Sequence, residues 1–391
     1  MEATRIGIDV AKSWFHLVAM DSRGKVIWRK ALTRRRVLEV LAQLKPALVT
    51  MEACATAHFW ARELQKLGHE VKLIHPAFVM AFRKGGKNDF NDAEALCEAS
   101  CRPMMRFVEV KSVDQQDIQS LHRARRLLIK QRTQLTNQLR GLLAEYGIAV
   151  RRSISALRRE AAELASEPER LTAAMRLVVS TSLEQLRVLA QQLAELDREI
   201  RRMCGRDERC ARLAQVMGVG PLTATAMVAK VGNARQFPNG RALAAYLGLV
   251  PRQNSTGGKS VLLSITKKGD RYLRTLLIHG ARAALQVAPR HDDHRSQWAL
   301  KLRRKSGPNI AAVALANKNA RVIWKLLTSG EHFRPQPLNP ELEIDEMGSR
   351  KGSQIKKSRS GEAPALPVNP LRAPSPHTAL LRLLKSSDRR C

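Results

Sequence analysis

Acidic residues are in short supply in this chain, long apolar runs are absent, and the cysteines are few and scattered. Each shortage excludes something. Over 391 residues there are 68 Lys and Arg against 35 Asp and Glu, a formal charge of +33 and an isoelectric point near 10.9. An enzyme of small metabolites does not need that surplus. A polyanion partner explains it, because basic side chains gain affinity by releasing counterions condensed on phosphates. A ribosomal-type basic protein carries such charge too, but is usually shorter and lacks a buried acidic set. No apolar stretch reaches the roughly 18 residues of a membrane span, and the N-terminus has no signal-peptide core. The expectation is a soluble cytoplasmic protein with no membrane partner. Six cysteines (Cys54, Cys97, Cys101, Cys204, Cys210 and Cys391) spread along so long a chain do not form a disulfide framework. Cys97 and Cys101 would share a helix face, and Cys54 and His58 have the same spacing. Neither pair has the two-residue gap of a zinc knuckle, so reduced, structural thiols are expected.

The acidic residues that are present fall in telling places. Arg5-Ile6-Gly7-Ile8-Asp9-Val10-Ala11-Lys12 is a short β-branched run that ends on a carboxylate. Runs of this kind read as buried strands. A carboxylate at the end of one is costly unless a cation or hydrogen-bond donors meet it. Ala47-Leu48-Val49-Thr50-Met51-Glu52 is a second such strand, again with a terminal acid. Asp89 and Asp92 stand three apart at the start of a helix predicted over 87–101, so both point to one face of its first turn. Alone, that pair is also what an ordinary helix cap looks like. Together with Asp9 and Glu52 it reads as four carboxylates gathered on a metal.

Around these residues the sequence predicts three antiparallel strands (Ile6 to Val10, Trp14 to Met20, Lys25 to Ala31). Helices and strands then alternate: a helix through Val37–Leu44, the strand ending at Glu52, a helix from His58 to Leu67, and a strand from Glu70 to Ile74 stopped by Pro76. That is the order of a ribonuclease-H-like α/β domain. From Ser112 to Cys204 the texture changes to long helix. Leu121, Leu128, Leu135 and Leu142 recur every seven residues, and a second run carries Leu186, Leu189, Leu193, Leu196, Ile200 and Met203 at alternating three- and four-residue steps. Sustained heptads predict a coiled-coil arm, packed within the chain or pairing protomers.

The last third is expected to be mainly helical. Gly218-Val219-Gly220 before a helix reads as a helix-hairpin-helix turn whose amides hold a phosphate, although a simple turn fits equally well. Gly248 to Lys259 reads as a polar, Gly-rich loop flanked by Arg252 and Lys259. It contains Ser255, Thr256, Gly257 and Gly258, and either contacts phosphate or presents a hydroxyl that attacks a phosphodiester. Lys267 and Lys268 precede a helix from Tyr272 to Leu285, and another runs from Asn309 to Leu327. Beyond Pro335 the Pro-, Ser- and Lys/Arg-rich composition predicts a disordered basic tail, 335–391.

These motifs, in this order, resemble those of DEDD-type insertion-sequence transposases. That family includes Piv-like invertases and bridge-RNA-guided recombinases. The resemblance rests on Ile6-Gly7-Ile8-Asp9, Met51-Glu52-Ala53 and Lys87-Asn88-Asp89-Phe90-Asn91-Asp92-Ala93. Further on it rests on Gly218-Val219-Gly220, Gly248 to Arg252, Ser255 to Lys259 and Lys268-Gly269-Asp270. It implies a RuvC-like (RNase H-like) nuclease domain over 1–111, a coiled-coil dimerisation arm over 112–208 and a transposase domain over 209–334. It also implies that Asp9, Glu52, Asp89 and Asp92 bind Mg²⁺, two ions in number, and that Ser255, or Thr256 beside it, is the nucleophile. Gly218, Gly220, Arg252, Thr256, Gly257, Gly258, Lys259, Lys267 and Lys268 are then the nucleic-acid contacts. The implied partners are double-stranded DNA of element ends and target, a noncoding bridge RNA, and further copies of the chain as dimer or tetramer, at the bacterial nucleoid. Two other readings use the same residues: a RuvC-like endonuclease employing water, and a non-catalytic nucleic-acid scaffold.

Overall fold

The N-terminal apolar runs pair as their alternation dictates. In the computed structural model β1 (Arg5–Val10), β2 (Trp14–Met20) and β3 (Val26–Thr33) form the expected antiparallel meander. The Asp21 carboxylate closes the second turn by accepting from the Arg23 and Lys25 amides at 2.9 Å. The structure describes residues 2–335 except Lys87, Gly257, Gly258 and the side chains of Lys259 and Ser260. The contacts expected of Gly257, Gly258 and the Lys259 side chain, and the tail past Pro335, lie outside the described residues.

Next come α1 (Val37–Ala42), β4 (Leu48–Glu52), α2 (Ala57–Lys66) and β5 (Glu70–Ile74). Pro76 ends β5 as expected but also opens a short helix, α3 (Pro76–Val79), because a proline suits the first helical position. Then follow α4 (Asp89–Ser100) and the two-residue edge strand β6 (Phe107–Val108). The sheet runs β3-β2-β1-β4-β5-β6, with β1, β4 and β5 mutually parallel. This mixed α/β arrangement is consistent with the ribonuclease-H-like expectation. Ile6, Ile8, Phe15, Leu17, Val49, Met51 and Leu73 fill the core on one face, under Trp60 and Leu64 of α2. On the other face Val18 and Met20 meet Ala93 and Cys97 of α4.

Ser112 opens α5 (Val113–Ala144) with a reciprocal capping box to Gln115. α6 (Ile154–Ala165) and α7 (Ala173–Arg206) follow. α5 packs on α7, joined by Arg125 Nε to Asp197 Oδ1 at 2.5 Å. In α7 the seam residues Leu186, Leu193 and Ile200 are buried, while Leu189, Leu196 and Met203 are only half-buried. In α5 the buried positions are Ile118, His122, Thr136, Leu139 and Leu143, while Leu121, Leu128, Leu135 and Leu142 are only half-buried. Two bonds turn the inner face by one residue: His122 meets the Tyr272 hydroxyl at 2.8 Å and the Thr225 hydroxyl at 3.0 Å.

The C-terminal part has its own core, built from α8 (Glu208–Ala214), α9 (Pro221–Val231), α10 (Gly240–Tyr246), α11 (Arg271–Val287), α12 (His294–Ser306) and α13 (Pro308–Ser329). Between α10 and α11 lies a hairpin of β7 (Pro251–Thr256) and β8 (Lys259–Ile265). The stretch expected as a polar loop is therefore strand up to Thr256. Its residues are polar on both faces, so no apolar alternation announces it. No helix among the described residues is long and apolar enough to cross a membrane.

Candidate functional site

Asp9 and Glu52 end neighbouring parallel strands, whose register pairs Ile8 with Met51 one residue earlier. On the other side of β1, the antiparallel register sets His16 of β2 directly opposite Asp9. Cross-strand partners share a face. That face is the one α4 covers, and Gly7 determines how closely. A Cβ at Gly7 would overlap the Ala93 carbonyl of α4, so only glycine lets the helix lie against β1. The close approach delivers the first turn of α4 to the strand ends. Its cap is Asn88, whose side chain accepts from the Phe90 amide at 2.9 Å. Neither Asp89 nor Asp92 is needed for capping; the Asp89 carboxylate joins Asp9, whereas Asp92 pairs with Arg83, and neither Asp92 nor Glu52 is part of the tight group.

Ligand atoms of Asp9, His16 and Asp89 all lie within 4.8 Å of one another. Burial, and after it the negative charges of Asp89, Asp92 and Glu52, raise the Asp9 pKa above the ordinary carboxylate value; His16 works the other way. His16 Nδ1 stands 3.3 Å from Asp89 Oδ2, and Asp92 Oδ1 is 2.6 Å from Arg83 Nε. Yet His16 Nδ1 and Asp92 Oδ1 are both buried without an aligned hydrogen bond. Two carboxylates and one imidazole gathered this closely fit a hard divalent cation held by oxygens and one ring nitrogen. His16 and Arg83 are absent from the acidic motif. The register of the first hairpin carried the signal for His16, since a tight turn after Val10 sets it across from Asp9.

The glycine-rich residues of the C-terminal part serve a different purpose. A Cβ at Gly218 would meet the Gly280 carbonyl of α11, and one at Gly248 the Lys268 backbone. Both glycines sit at positive φ and allow backbones to touch. Gly220 is exposed and leads into α9, which has no side-chain cap at that end. Arg274 donates to the carbonyls of Leu247 (3.1 Å) and Lys268 (3.0 Å), fixing the base of the β7–β8 hairpin. Arg252, Ser255, Thr256, Lys267 and Lys268 are all exposed. Ser255 lies opposite Ser260 in the hairpin, and its hydroxyl accepts from Gln253 Nε2 at 2.7 Å. No hydrogen bond or ion pair among the described residues ties Ser255 to the carboxylates.

Comparison with known proteins decides the family. A profile described as Transposase IS116/IS110/IS902 family matches residues 210–296, and one for DEDD transposases of the IS110 type, described as a transposase, matches residues 6–148. A probable family 20 transposase of Pseudomonas aeruginosa is 48% identical over 337 residues, which is 86% of this chain and 100% of the relative. The transposase for insertion sequence element IS1111A of Coxiella burnetii is 43% identical, covering 84% of this chain and 91% of its own. That for IS1328 of Yersinia enterocolitica is 41% identical, covering 84% and 98%. The chain belongs to the IS116/IS110/IS902 transposase family. Transposases are enzymes that cut and rejoin DNA. A DEDD centre implies a divalent metal, and in this transposase the Asp9, His16 and Asp89 cluster could hold one.

Proposed function

We propose that this insertion-sequence transposase breaks and rejoins DNA strands with Ser255 as nucleophile and a Mg²⁺-holding centre made of Asp9, Glu52, Asp89 and Asp92, two ions in number. The observation that supports the reading is the grouping of Asp9, His16 and Asp89 ligand atoms within 4.8 Å, with the charges of Glu52 and Asp92 felt at Asp9. When bound, the ions would supply positive charge to the attacking and leaving oxygens of a displacement at phosphorus. The chain's own part is to position. The carboxylates hold the ions, His16 orients Asp89, and Gln253 directs the Ser255 hydroxyl. Ser255 Oγ forms the new P–O bond as the strand's P–O bond breaks, and the leaving oxygen takes up a proton while serine loses one. The phosphoserine link conserves the bond energy for rejoining. Because Ser255 stands on an exposed hairpin, the site is composite, completed when a second protomer presents its hairpin.

The division into a nuclease domain (1–111), an arm (112–208) and a transposase domain (209–334) has support in three separate hydrophobic clusters. The half-buried Leu121, Leu128, Leu135 and Leu142 favour pairing of arms into a dimer or tetramer. The surplus of cations favours a guide RNA alongside DNA, with Arg252, Lys267 and Lys268 among the contacts.

The decisive experiment traps covalent protein–DNA adducts. Ser255→Ala should abolish them and leave DNA binding intact; adducts that persist would move the nucleophile to Thr256. Cleavage without any adduct in the unmodified protein would favour attack by water. RNA co-purified with the protein should be one structured species; a random mixture would contradict guidance.

A further inference from the structure

Arg295 lies in the first turn of α12 and is only 8% exposed, yet its Nε, Nη1 and Nη2 all lack a hydrogen-bond partner. No other arginine among the described residues has all three guanidinium nitrogens buried and unpaired. The acid beside it is occupied elsewhere. Asp293 caps the helix, its Oδ1 accepting from the amides of Arg295 (3.1 Å) and Ser296 (3.0 Å), and its Oδ2 from the Ser296 hydroxyl at 2.5 Å. The remaining surroundings are rings and further cations. The guanidinium faces the Phe333 ring at 5.7 Å, and Lys318 Nζ stands 4.3 Å over Trp298. Burial, then the charges of Arg295 and Arg321, hold the Lys318 pKa below its ordinary value. Burial likewise draws Arg295 down to about 10, with Asp293 only partly opposing it.

A buried guanidinium without an acceptor is strongly unfavourable, and an apolar side chain of similar length would fold better in its place. Such a residue makes sense where an oxyanion arrives later. The planar fork of N–H groups matches two oxygens of one phosphate, and nearby cations add to the attraction. We infer that Arg295, with Lys318 nearby, is a receiving site for one backbone phosphate of a nucleic acid, covered by Phe333 until that strand binds. The inference rests on the proposed function only in taking nucleic acid as the partner.

The test uses the full chain and three probes: duplex DNA, single-stranded RNA and inorganic phosphate. Arg295→Met should raise the thermal midpoint of the free protein, since a buried unpaired charge is removed. It should also lower the slope of log affinity against log salt by about 0.9 for duplex DNA, or about 0.7 for a single strand. Lys318→Gln, a half-buried position that tolerates the change, should reduce the slope in the same sense. A smaller slope with DNA or with RNA supports the site and says which strand it holds. A lowered midpoint in Arg295→Met with both slopes unchanged would make Arg295 a packing residue and overturn the proposal. Stabilisation of the unmodified protein by inorganic phosphate, with polymer slopes untouched by either substitution, would make it a site for the free ion and overturn it too. Should Arg295→Met fail to fold, the Lys318→Gln slope decides, and an unchanged value overturns. If the unmodified protein bound no nucleic acid, the proposed function would fall together with this site. Normal binding with unaltered slopes in both variants would remove only the site.

Discussion

Gly7 shows how one residue sets the geometry of the whole centre. Replacing it by alanine drives a methyl group into the Ala93 carbonyl, so either α4 retreats or the strand bends. We expect Gly7→Ala to cost about 1–3 kcal/mol in urea unfolding and to reduce strand cleavage more than a surface substitution of equal cost. Asp9 makes a second prediction at this scale. Its folded pKa is raised, so between the unfolded value near 3.8 and the raised folded value the native state holds more protons than the unfolded chain. Stability from this group therefore falls as pH rises through that window. His58 and His122 act in the opposite sense. Burial is the dominant reason that both are lowered from 6.5 to about 4. Each stays neutral in the fold, and its contribution is lost as pH falls from 6.5 towards 4. Subtracting the pH–stability curve of Asp9→Asn from that of the unmodified protein isolates the Asp9 term. A difference that grows towards high pH, favouring the variant, is expected; a flat difference would contradict the crowding of charge at Asp9.

Elements differ in how plainly the sequence announced them. β1, β2, β4 and β5 were legible because short apolar runs bounded by polar residues have few alternatives, and the two strand-end acids could be read with them. α4 was legible from its first turn, although its cap, Asn88, could not be told from Asp89 by composition. The β7–β8 hairpin was not legible, since Pro251 to Thr256 is polar throughout and pairs only with its own return strand. α6, α10 and α12 were hidden for a different reason: they are short or highly charged, and tertiary packing rather than periodicity fixes them. In α7 every second seam position is buried, and Leu193→Ala should cost about 2–5 kcal/mol in thermal or denaturant unfolding. In α5 the leucine heptad marks a half-exposed stripe, displaced from the buried one by the bonds of His122. Leu128→Lys together with Leu135→Lys should reduce the assembly mass by light scattering while leaving monomer unfolding little changed. An unaltered mass would detach that stripe from assembly.

For the molecule as a whole, charge is the property that scales. A chain of +33 that engages six or more phosphates should lose about 10³-fold or more in DNA affinity between roughly 50 and 200 mM salt. A salt-insensitive affinity would deny the surplus cations any part in binding. The acidic centre is the exception within this positive field, with Asp9 and Asp89 held close and the charges of Asp92 and Glu52 felt at Asp9, and its purpose is the claim on which everything else depends. Titration of Mn²⁺ into the full-length protein at neutral pH, followed by calorimetry or paramagnetic resonance, addresses it without any need for DNA. Saturable binding that disappears in Asp9→Asn and in Asp89→Asn, and is weakened in His16→Ala, is the predicted result. Binding of equal strength in the unmodified protein and the aspartate variants, or none in any of them, would contradict it.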